Sequence, residues 1–172
     1  MQYLDNVKKK VGEVVGEVVG HLTSSEKTQS VTISSARDEV EQFWRDPDSL
    51  SAVFDRSADV RSGDAPGEYV WTPAGASDGG ESWRAVLHED GDAFRFTATQ
   101  PDDAGANPGF ELRFREAPRG LGTEVSLRAD TPLPDFLSSL AAFAVLYRAR
   151  ALLQTGEIPT LRDNPSARPA TQ

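Results

Sequence analysis

The chain contains no cysteine. That excludes a disulfide framework, a thiol nucleophile and a thiolate metal site together. Histidine is nearly as scarce. His21 and His88 are the only two, and without cysteine beside them no zinc site or other metal centre is expected. Lysine stops early: Lys8, Lys9, Lys10 and Lys27 are all there are, and beyond them arginine carries every strong positive charge. That change of usage marks a boundary near residue 27. Positive charge is in deficit over the whole chain, with 18 Lys and Arg against 27 Asp and Glu, a net charge of −9. Nucleic acid demands clustered cations, so no such partner is expected, and the acidity reads as a solubility device. No run of 18 apolar residues is present to span a bilayer. The N-terminus lacks the long apolar core and cleavage site of a secretory signal, so the cytoplasm is the expected compartment. Chemistry-bearing motifs are missing too. There is no G-x-S-x-G elbow, no phosphate loop and no G-x-G-x-x-G, so hydrolase, kinase and dehydrogenase readings have no carrier and no cofactor is implied.

What is present falls into three parts: a segment 1–27, a domain 28–158 and a tail 159–172. In the first, Val7, Val11, Val14, Val15, Val18, Val19 and Leu22 recur at helical spacing, with Lys8, Lys9, Lys10, Glu13 and Glu17 between them. Gly12, Gly16 and Gly20 sit four apart in a short repeat, VGEV-VGEV-VGHL. Valine and glycine are weak helix formers, so a helix over 3–22 needs a surface to lie on. The three candidates are its own domain, a second copy, giving self-association, and a membrane surface. The tail is rich in Pro, Ser, Asn and Arg and reads as disordered or loosely draped.

The domain shows strand patterning in most of its length. The pattern predicts a strand over 30–34, a helix over 36–45 entered through a capping box at Ser35 and Asp38, a break at Asp46-Pro47, and a short helix over 49–54 burying Leu50, Val53 and Phe54. Strands follow over 58–62, 67–72, 81–88, 92–99, 110–115 and 124–129, each with one apolar and one polar face. A long helix is expected over 135–155, with Pro132 and Pro134 before it and Gly156 and Pro159 after it. Its 21 residues would span roughly 31 Å. Strand, two helices, six strands and a long helix make an α+β chain, with a curved antiparallel sheet wrapped around the C-terminal helix. The concavity between them would be lined by Tyr69, Trp71, Trp83, Phe94, Phe96, Phe110 and Phe114 from the sheet. Phe54, Leu133, Phe136, Leu140, Phe143 and Tyr147 would face them. Tyr69, Trp71, Trp83 and Tyr147 each bring a hydrogen-bonding group to that apolar wall.

Certain stretches resemble a known superfamily. VTISSARDEVEQFWRDPDSLSAVF (31–54) is similar to its opening strand and helix pair. ESWRAVL (81–87) sits where members keep a strand tryptophan. LRFREAP (112–118) followed by GTEV (122–125) resembles its penultimate hairpin, and LLQTGEIP (152–159) the end of its last helix. Over about 30–160 the chain resembles the SRPBCC superfamily, the START and birch-pollen-allergen-like helix-grip fold, and within it bacterial members described as polyketide cyclase/dehydrase or coenzyme Q-binding. The resemblance implies a cavity for a small hydrophobic ligand such as a lipid, quinone or polyketide. A polyketide cyclase or aromatase, working with a polar group from Tyr69, Tyr147 or Arg148, is the alternative. A non-catalytic interaction module oligomerising through the N-terminal helix is a second one. The chain departs from its relatives in the valine-glycine helix and in a last helix that is apolar nearly all round over 140–147.

Other candidates have plainer readings. His88 alternates with Trp83, Ala85 and Leu87 and should face solvent. Glu89-Asp90 and Asp102-Asp103 read as solvated turn carboxylates. Arg84, Arg95, Arg113, Arg115 and Arg128 belong to the polar sheet face, where cross-strand pairing with Glu111 and Glu124 accounts for them.

Overall fold

The computed structural model describes residues 28–55, 57–76, 81–101, 103, 105, 107–129 and 142–158. Strand β1 (Gln29–Ile33) leads into helices α1 (Arg37–Arg45) and α2 (Pro47–Phe54). Strands β2 (Ala58–Ser62), β3 (Glu68–Pro73), β4 (Trp83–Asp90), β5 (Ala93–Ala98), β6 (Gly109–Glu116) and β7 (Thr123–Ala129) follow. Helix α3 (Ala142–Thr155) comes last. The readings that fall on 1–27, on 130–141 (Leu133, Phe136 and Leu140 among them) and on the tail lie outside the described residues.

Short connections between strands of alternating polarity leave antiparallel pairing as the natural outcome, and all seven strands form one curled antiparallel sheet in the order β1-β7-β6-β5-β4-β3-β2. Register keeps like faces together. Phe96 lies opposite both Leu87 and Phe110, Phe94 opposite Leu112, and Phe114 opposite Val125. Trp71 faces Trp83, and Val31 faces Val125. These side chains share the concave face, and with Val145, Leu146 and Ala149 of α3 they form a single buried core. The convex face carries Arg84, Arg95, Arg113 and Arg115. Arg84 reaches Glu68 at 3.4 Å, Arg95 reaches Glu111 at 3.5 Å, and Arg113 reaches Glu111 at 2.7 Å.

The helices are set by local chemistry. Asp46 ends α1 and caps α2: its carboxylate accepts from the Ser49 amide at 2.9 Å and the Ser49 hydroxyl at 2.6 Å, with Pro47 in the first turn. The expected capping box at Ser35 does not form. Ala36 occupies the N-cap of α1 without a side-chain bond, and the Ser35 carbonyl instead accepts from the buried Thr123 hydroxyl at 3.0 Å. The last helix keeps its glycine stop, with Gly156 at φ 71° and its amide donating to the Leu152 carbonyl at 2.9 Å.

Candidate functional site

The concave face is an aromatic wall built around Trp71. Its ring centroid lies 4.9 Å from that of Trp83, 5.4 Å from Phe96, 5.9 Å from Tyr69, 6.0 Å from Phe110 and 6.3 Å from Phe54. Phe96 and Phe110 stack at 4.8 Å, and Phe94 meets Phe114 edge-on at the same separation. Edge-to-face and offset contacts of this kind suit the ring quadrupoles. The eight rings proposed from sequence within the described sheet and α2 are therefore in one place, and all are buried. Among them Trp71 and Trp83 leave their indole N–H groups without an acceptor, as does Trp44 on α1. A donor buried in that state costs about 1–3 kcal/mol.

Phe143 and Tyr147 are corrected. They were expected to face inward from the last helix, and they lie on its outer side, 53% and 48% exposed. Helical phase explains it: Val145, Leu146 and Ala149 form the buried stripe, and positions 143 and 147 fall on the opposite side. Tyr69 stays on the wall, but its hydroxyl is engaged, donating to the Arg45 carbonyl at 2.6 Å. Burial raises the Tyr69 pKa above the ordinary phenol value. Arg148 donates to the Val53 carbonyl at 3.2 Å and so ties α3 to α2.

At the β4–β5 end of the wall lies a polar group that alternation alone did not reveal. Glu89 and Asp90 are not turn residues but the last two of β4, and Glu89 shares the face of Trp83, Ala85 and Leu87 opposite Phe94. Arg45, from the last turn of α1, grips its carboxylate with Nε and one terminal nitrogen, each at 2.8 Å. The same guanidinium sits 4.7 Å above the Phe94 ring. The hydrogen bond from Arg45 holds the Glu89 carboxyl below the usual carboxylate range, and Glu89 raises Arg45 in return. The signal available in sequence was the phase of β4, which carries odd-numbered residues inward as far as Glu89. His88 and Asp103 are exposed; Asp102 lies outside the described residues.

A separate open concavity of about 770 Å³ lies at the same end of the sheet, between the β1–α1 junction and the β6–β7 turn, with Ser34, Arg37, Glu116, Leu121 and Thr123 on its sides. No group of His, Cys, Asp or Glu among the described residues is arranged to hold a metal ion. No helix among them is long and apolar enough to cross a membrane.

No protein-family model and no curated protein matches the chain. Solved structures match in fold. A Deinococcus radiodurans protein, DR_A0006, is similar at 24% identity and TM-score 0.52, over 76% of this chain and 97% of that one. The di-domain ARO/CYC protein StfQ of the steffimycin biosynthetic pathway matches at 15% identity and TM-score 0.54, over 73% of this chain and 44% of its own. The Aha1 dimer of Colwellia psychrerythraea matches at 11% identity and TM-score 0.52, over 76% and 96%. Likeness at these identities speaks for architecture, and the architecture is the helix-grip fold.

Proposed function

We propose that the chain binds a small hydrophobic molecule between the concave face of its sheet and α3. The observation that carries the reading is the aromatic wall around Trp71, on which the indole N–H groups of Trp71 and Trp83 are buried without an acceptor. A guest with an apolar body and one oxygen acceptor answers both features: rings meet the body, and a carbonyl or hydroxyl relieves a donor. Lipids, quinones and polyketides all fit that description. Among the described residues, α3 contributes Val145, Leu146 and Ala149 as the buried face opposite this wall. The cyclase alternative, to which the ARO/CYC neighbour lends support, needs a polar group free to act on the guest. Of its three candidates, Tyr69 and Arg148 are bonded to backbone carbonyls and Tyr147 points away. Binding without catalysis is the better-supported function.

The test is native mass spectrometry of the full chain, together with titration of 2-acetylnaphthalene followed by tryptophan emission. The expected result is one guest per chain and saturable quenching, since two of the three tryptophans line the wall. No adduct and unchanged emission at saturating probe would overturn the reading.

A further inference from the structure

The outer face of α3 leaves two large rings in water. Phe143 and Tyr147, one helical turn apart, stack with centroids 6.0 Å apart and planes at 20°, and each is about half exposed. Single exposed apolar residues are ordinary, but a stacked pair is a patch. Among the described residues, charge around it is sparse. Arg150 is the cation on this side, and its guanidinium donates to Gln154 one turn on at 3.2 Å.

The fold brings a suitable cover to the same place. Helix α3 packs against β1, β1 is an edge strand, and it begins at Gln29. The N-terminal segment therefore joins the domain beside α3. That segment carries the valine stripe of Val7, Val11, Val14, Val15, Val18, Val19 and Leu22. As a helix, 3–22 is about 30 Å long, more than the roughly 21 Å of α3. The polar stretch 23–28 reaches about 20 Å when extended. A short tether also holds the segment near α3 at an effective concentration in the millimolar range, which favours the same chain over a second copy. The net charge of −9 opposes an anionic membrane surface.

We infer that residues 3–22 form an amphipathic helix that lays its valine stripe over Phe143 and Tyr147 of the same chain. The absence of cysteine makes a clean test. In full-length Arg150→Cys the single thiol sits on the exposed side of α3, and its alkylation by iodoacetamide reports cover. Labelling should be at least about tenfold slower than in the unfolded chain. It should return to the rate of an open thiol when Val15→Asp and Val18→Asp are added, with near-UV circular dichroism confirming that the aromatic wall is intact. Fast labelling without the aspartates would overturn the inference, as would protection that survives them. Protection lost on about a hundredfold dilution would assign the patch to a second copy. Protection seen only with phosphatidylglycerol vesicles would assign it to a membrane surface. Either would overturn same-chain docking.

Discussion

Trp71 touches more of the wall than any other side chain described, and it is fully buried. Truncating it removes the hub of five ring contacts at once. Trp71→Ala should destabilise the domain by about 3–5 kcal/mol, and urea denaturation followed by far-UV circular dichroism would show it. Glu89 makes a different prediction. Its carboxyl is held low by Arg45, so the stabilisation it provides is present above the unfolded-state pKa of roughly 4 and is lost as pH falls through the lower folded value. Both partners are part exposed, which limits the pair to about 1 kcal/mol or less. Glu89→Gln should leave the melting temperature at neutral pH nearly unchanged and flatten its decline in acid. A melting curve series across acid pH checks that. Tyr69 has the opposite sign. With its pKa raised, its contribution is complete below about pH 10 and fades as pH climbs through the folded value. The wall itself was legible residue by residue, because alternation assigns Tyr69, Trp71, Trp83, Phe94, Phe96, Phe110 and Phe114 to one face. The Arg45–Glu89 grip was not, since it joins α1 to β4 across the fold and no local pattern encodes that approach.

Among the elements, the β6–β7 hairpin shows where backbone constraint is concentrated. Gly122 has φ 111°, and a Cβ there would overlap the Ile33 carbonyl of β1; Gly120 has φ 67° with open space around it. Gly120→Ala should therefore cost only the left-handed strain of about 1–2 kcal/mol. Gly122→Ala should exceed the roughly 1–3 kcal/mol of strain alone, because β1 must also shift. Comparing the two variants by chemical denaturation separates the effects. Element order and strand positions were readable from periodicity, and β4 was misjudged by two residues at each end, running Trp83–Asp90 where 81–88 was expected, because the acidic Glu89-Asp90 pair imitates a turn. Helix α3 was harder. Its large rings look like core residues, yet the phase set by small Val145 and Ala149 sends Phe143 and Tyr147 outward. In a helix that is apolar on several sides, residue size is a poor guide to direction. The cap of α1 failed because the helix begins at Arg37, which puts Ala36 rather than Ser35 at the N-cap.

For the molecule as a whole, the helix-grip architecture follows from a sheet with one apolar face and one helix to cover it. If a guest binds between them, it stabilises only the folded state, and the melting temperature should rise with its concentration. A thermal series with 2-acetylnaphthalene checks this. The sheet order also has a consequence for the sequence of events during synthesis. β1 and β2 are consecutive strands, yet they occupy opposite edges, and β1 finds its neighbour only in β7. The Ser30 and Ser126 hydroxyls that meet across that pair at 2.9 Å are 96 positions apart. On the ribosome, β2 to β6 can zip together one after another as they emerge, while the first strand made waits for the last. Until β7 arrives, β1 is a bare strand with no partner of its own, so a nascent chain stalled before Thr123 carries a ready template for pairing with its neighbours.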